Sequence, residues 1–88
     1  MSESIFVSTN RIAAQVYKGR VKAHLKHGDN SIEAVPATET GKWLAILMEE
    51  VGEAAHEITY DATGSLRAEL IDVLTVATAW VAAIDREK

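Results

Sequence analysis

Between residues 40 and 86 the apolar side chains recur three and four apart, in two runs with one short break. Leu44, Met48, Val51, Ala55 and Ile58 make the first run. Leu66, Leu70, Val73, Ala77, Trp80 or Val81, and Ile84 make the second. That spacing lines one face of an α-helix and cannot line one face of a strand. The break, "DATGS" at 61–65, is a short turn, with Ser65 as the expected N-cap of the helix after it. Two helices, over about 39–60 and 65–86, are therefore expected to lie antiparallel as neighbours.

The first part of the chain continues the helical reading. "STN" at 8–10 offers N-caps, and Ile12, Val16, Val21 and Leu25 keep helical spacing, which predicts a helix over about 8–26. "SIFVS" at 4–8 is too short to assign. Gly28, Asp29, Asn30 and Pro36 then break the pattern into a loop of about ten residues, a length often functional or mobile. The fold class is all-α, with three main helices. A chain of 88 residues is one small domain at most and is marginal as a monomer. It has no Cys, so disulfides and thiolate metal sites are excluded, and oligomerisation or a metal held by oxygen remains. Apolar residues on more than one helix face suit helical hairpins that pair between subunits into a four-helix-bundle core.

Net charge is −4, unevenly spread. Residues 49–72 hold seven of the 13 acids and one base, Arg67, whereas residues 1–28 hold five bases and one acid, Glu3. The chain lacks the dominant basic footprint of a nucleic-acid binder. Lys18, Lys22 and Lys26 stand four apart along one side of the first helix, where they meet a phosphate-bearing ligand, an acidic partner face or solvent. No segment approaches the roughly 18 consecutive apolar residues of a membrane span. "MSESIFVSTN" lacks the basic and apolar regions of a signal peptide, so a cytoplasmic protein is expected.

The acids themselves have a pattern. In "ILMEEVGEAAHEI" at 46–58, Glu50 and Glu53 are three apart and point the same way. Trp43 begins their stripe, Ile46 and Glu57 extend it, and Glu49 sits on its edge. The last helix repeats the device with Glu69 and Asp72. An antiparallel hairpin places the two pairs opposite each other. Four converging carboxylates repel, and several must take up protons unless a divalent cation removes the conflict. Mg²⁺ prefers hard oxygen ligands and accepts phosphate oxygens in its remaining positions.

"EEVGE", 15 residues, then "ELID" reads as ExxE and ExxD. This resembles the MazG-like all-alpha nucleotide pyrophosphohydrolases over roughly 43–84. The first helix with "KHGDNSIEA" looks like the small single-domain members, including those of phages. The resemblance implies Mg²⁺-dependent cleavage of a nucleoside triphosphate between the α and β phosphates, giving a monophosphate and pyrophosphate, with Mn²⁺ as a substitute metal. It implies Glu50, Glu53, Glu69 and Asp72 as metal ligands, with Glu49 holding or deprotonating the attacking water. It also implies a homo-oligomer, a dimer or a tetramer, with a lean to the tetramer. Many members meet the phosphates with polar or basic side chains late in the last helix. Here only Thr75, Thr78 and Arg86 stand there, so Lys42, the lysine stripe or another subunit is expected to take that role. Trp43 and Ile46, on the acidic stripe, and His27, beside the loop, are expected substrate contacts. Two other readings stand beside this one. The acidic stripe of a non-enzymatic bundle binds a basic partner, or Glu53 with His56 forms half of a di-iron ExxH site completed by symmetry.

Overall fold

The computed structural model describes residues 3–61 and 64–87. Its helices are α1 (Ile5–His27), α2 (Thr40–Tyr60) and α3 (Leu66–Arg86). Two single-turn 3-10 helices, Gly28–Asn30 and Ile32–Ala34, lie between α1 and α2. Among the described residues there is no strand. The all-α expectation with three main helices holds.

The start of α1 differs from the expectation. Ser4 is the N-cap, in extended conformation, and its hydroxyl accepts from the Val7 N–H at 3.0 Å. The "STN" residues lie within the helix, where Ser8 donates instead to the Ile5 carbonyl. A capping Ser directly before an apolar run is an N-terminus signal, and "SIFV" carries it as well as "STN" does. At the other end Gly28 takes φ 55° and its N–H returns to the His24 carbonyl. α2 ends on Asp61 at φ 47°, a left-handed conformation that Asp tolerates better than most residues. Ala62 and Thr63 of the expected turn lie outside the described residues. Ser65 does occupy the N-cap of α3, but its side chain makes no capping bond. Glu57 acts there instead: its carboxylate, buried at the end of α2, accepts the Ser65 N–H at 3.0 Å.

The segment between α1 and α2 is folded and fastened rather than loose. Arg20 grips Glu33 through two bonds of 2.9 and 2.6 Å, and His24 Nδ1 meets the buried Ser31 hydroxyl at 3.0 Å. The Trp43 indole donates to the Pro36 carbonyl at 3.0 Å, and Glu87 accepts the Ala37 N–H at 2.6 Å. These bonds satisfy polar groups that a loop laid over apolar surface would otherwise strand.

The core gathers Val35, Trp43, Val76, Ala79 and Ala83, with Ile32, Ile46, Leu47 and Trp80 packed against it. Trp43 and Trp80 stack with ring centroids 6.0 Å apart. The apolar seam of α2 faces outward, with Leu44, Met48 and Ile58 all more than half exposed. Both faces of α2 are apolar, and periodicity alone does not say which one packs on α3. Within the chain, the face bearing Trp43, Leu47 and Ala54 takes that place.

α3 is the central element: α1 and α2 both pack on it. Among the described residues α1 and α2 make no close backbone approach to each other. A cleft remains between them, floored by α3 and closed at one end by the 3-10 turns. Gly19 lets α1 come close to that floor, since a Cβ there would sit 3.2 Å from the Thr75 hydroxyl.

Candidate active site

Antiparallel packing of α2 on α3 sets the two acidic pairs face to face. Glu50, Glu69 and Asp72 each present a carboxylate oxygen within 4.8 Å of the others. Glu53 lies beside them, close enough for its charge to act on all three. All four acids of the two pairs thus come together, as the spacing predicts.

The electrostatics record the crowding. Burial, then the charges of Glu53 and Asp72, push the Glu50 carboxyl up to about 7, with a Glu53 hydrogen bond and the Glu49 charge adding to the effect. Glu69 is raised for the same leading reasons, burial first and Glu53 and Asp72 after it. Asp72 is raised by burial and then by Glu53. Oε2 of Glu69 is shut away from solvent and has no hydrogen-bond partner among the described residues. A buried carboxylate oxygen left unpaired is costly. With that oxygen among them, the converging carboxylates of Glu50, Glu69 and Asp72 form a donor set for a hard divalent cation.

Beside the acids, the cleft is a cavity of about 380 Å³. Glu49, Glu50 and Asp72 line its acidic wall, and Gly19, Ala23 and His27 form its α1 wall. Asn30, Ser31 and Ile32 from the turns close one end, with Ile46, Thr75 and Val76 below. Glu49 and Ile46 therefore stand at the cavity, and His27 reaches it from the last turn of α1. Lys42 does not line it, being exposed on α2. Trp43 is fully buried in the core, and its place on the acidic stripe does not make it a substrate surface. The stripe turns inward at its N-terminal end, because Pro36 and Trp80 cover the indole.

The other phosphate candidates separate. Thr75 lines the cavity with its hydroxyl donating to the Ile71 carbonyl at 2.8 Å. Thr78 faces a different groove, against Thr9 and Ala13. Arg86 lies near Glu33 and helps hold that carboxyl low, after Arg20. Lys18, Lys22 and Lys26 each precede a lining residue of α1 by one position, which puts them about 100° round the helix from the lining stripe. They flank the cleft. His56 is exposed, its ring against Tyr60, and it is not part of the carboxylate group. Sequence reasoning passed over Gly19, Ala23, Asn30 and Ser31. The small residues four apart on α1 are a visible signal, but nothing in the spacing says that their face looks onto the acids.

A family model described as the MazG nucleotide pyrophosphohydrolase domain matches residues 39–88, which hold all of α2 and α3 and every carboxylate of the site. The chain belongs to the MazG family. No curated protein and no solved structure matches it. The MazG match joins the two acidic helices into one unit, and the nucleotide pyrophosphohydrolases are hydrolases at the level of the family. The α1 wall and the 3-10 turns, which complete the cavity, lie before the matched MazG segment. Among the described residues no helix is long and apolar enough to cross a membrane.

Proposed function

We propose that the protein hydrolyses ribo- or deoxyribonucleoside triphosphates between the α and β phosphates, giving a nucleoside monophosphate and pyrophosphate. The observation that carries this reading is the convergence of Glu50, Glu69 and Asp72, oxygens within 4.8 Å, on two helices of the MazG match and beside an open cavity. The donor set fits a divalent cation: hard oxygens, raised carboxyls, and one buried oxygen without a partner. Glu50, Glu53, Glu69 and Asp72 would hold Mg²⁺, or Mn²⁺ in its place. When bound, the ion supplies positive charge for the phosphate oxygens.

The chain's own groups do the rest. Glu49, which lines the cavity, would orient a water and take its proton. Water adds across the α–β bridge as one P–O bond breaks, and pyrophosphate leaves. Such transfers depend mainly on positioning and charge stabilisation. The flanking lysines of α1 are suited to attract a polyanion to the cleft.

The reading includes a homo-oligomer, dimer or tetramer, in which helical hairpins pair through the exposed face of α2 and α3. Its support is area. The chain exposes 6298 Å², against about 5,100 Å² expected of a compact monomer of its 9.6 kDa. A cytoplasmic setting, where nucleotides are abundant, belongs to the same reading.

The test is incubation with a panel of nucleoside triphosphates, with Mg²⁺ or with EDTA, and ion-exchange separation of the products. Mg²⁺-dependent monophosphate and pyrophosphate are expected. Diphosphate with orthophosphate would overturn α–β cleavage. No turnover across the panel would favour a binding module with an acidic stripe.

A further inference from the structure

We propose that the turn-side end of the cavity is a nucleobase site in which the Asn30 carboxamide reads the base edge, an assignment that rests on the nucleotide reading above. The cavity is lopsided. Glu49, Glu50 and Asp72 line it, whereas Glu53 and Glu69, further from the turns, do not. Space therefore opens from the acids towards the start of α2 and not the other way. Ile46 stands four residues before Glu50, about 6 Å nearer the turns along the helix axis. α3 runs antiparallel, so Thr75 and Val76 follow Asp72 in that same direction.

The character of the lining changes along this axis. Ile32 and Ile46 pack against the core cluster that contains Val76, so this end presents aliphatic surface. Aliphatic side chains suit the faces of a flat ring. A ring edge needs a polar partner, and two polar residues of the turn segment, Asn30 and Ser31, line the cavity. Ser31 is already engaged: it is buried and its hydroxyl bonds to His24. Asn30 is exposed to the cavity, and among the described residues nothing hydrogen-bonds its side chain. A carboxamide carries a donor and an acceptor in one plane, the geometry that pairs bidentately with a base edge. A triphosphate anchored at the acids has its sugar and base on this side. The chain just after Asn30 is also held to α1 before any ligand arrives, by the His24–Ser31 and Arg20–Glu33 bonds. A preorganised reader loses less freedom on binding.

The test uses binding, so that it does not depend on turnover. Calorimetry with Mg²⁺ would compare α,β-methylene triphosphate analogues of different bases, and ribose 5-triphosphate as a probe without a base. Wild type, Asn30→Ala and Asn30→Asp are measured, with circular dichroism to confirm the fold. Wild type is expected to rank the bases. Asn30→Ala should shrink the spread between best and worst base by about tenfold, the worth of a lost directed hydrogen bond, with affinity for ribose triphosphate unchanged. Asn30→Asp, which presents acceptors only, should reorder the ranking towards bases with an amino group. A ranking unchanged in Asn30→Ala, or equal affinity of wild type for all bases, overturns the base-reading role alone. Failure of every analogue to bind overturns it together with the nucleotide reading. Base-ranked binding without turnover of the natural triphosphates overturns the reaction and leaves the base site standing.

Discussion

At the scale of single residues, the site is a set of carboxylates held closer than they tolerate when ionised. The Glu50 carboxyl near 7 has a direct consequence for stability. Between its ordinary value of 4.5 and about 7 the folded chain keeps a proton that the unfolded chain has released. Stability without metal must then fall as pH rises through that window, because the folded state binds more protons. Glu69 and Asp72, also raised, act in the same direction. Melting in EDTA should give a lower Tm at pH 8 than at pH 5, and Mg²⁺ should restore it at pH 8. Glu50→Gln should flatten part of the slope. Glu53→Gln and Asp72→Asn should each lower kcat by on the order of a hundredfold or more, since each removes a carboxylate that would hold the ion facing the reacting phosphates. Their Tm should hold or rise as repulsion is relieved. Full activity in either variant would sink the assignment. Trp43 is a contrasting case. Trp43→Phe loses the bond to Pro36 and some buried volume, and should cost about 1–2 kcal/mol in urea melts. The KM for nucleotide should not change, because the ring is buried in the core.

At the scale of elements, the cleft exists because α1 and α2 share α3 without meeting each other. Gly19 sets how α1 seats on it. A mid-helix Gly costs roughly 0.5–1 kcal/mol relative to Ala, so Ala would be the better helix former. The space decides against it. The Thr75 hydroxyl that a Cβ would meet is buried and tied to the Ile71 carbonyl, so it cannot swing aside. Gly19→Ala should therefore be net destabilising, by about 1 kcal/mol, as overpacking outweighs propensity. Thr75→Ala made in the same chain should recover most of that loss, which a double-mutant cycle by urea unfolding would measure. Independent, additive effects would show that α1 does not bear on α3 at this point. The helices and their hairpin were legible because "DATGS" is short and the seams are regular. The 3-10 turns were not. Their folding depends on partners such as Arg20 for Glu33 and His24 for Ser31, supplied by a different element.

At the scale of the whole molecule, the chain is open. Its radius of gyration is 14.2 Å, where about 12 Å is typical for a compact domain of this length. Leu44, Met48, Ile58 and Leu70 stand on the outside of the α2–α3 hairpin. An apolar face this long on so small a protein is the usual mark of an interface. Met48→Glu or Leu70→Glu should dissociate the oligomer, read by light scattering after size exclusion, and the monomer should melt at a lower temperature. A wild type that runs as a monomer at micromolar concentration would overturn the pairing. The seams at 44–58 and 66–84 were legible as apolar, yet their destination was not. The same periodicity serves a core within one chain or a bundle shared between two.

The sequence by itself determined the helices, the reversal between α2 and α3, and the meeting of Glu50 and Glu53 with Glu69 and Asp72. All of these follow from local periodicity and one short connection, so each rests on few residues close in the chain. Only the tertiary structure decided which face of α2 turns inward, that Trp43 is core rather than contact, and that Asn30 and His27 stand at the cavity beside the acids. Those outcomes depend on how α1 and its turns settle on α3 over long separations. There the balance of packed volume, buried polar groups and available partners selects among arrangements that spacing alone leaves equal.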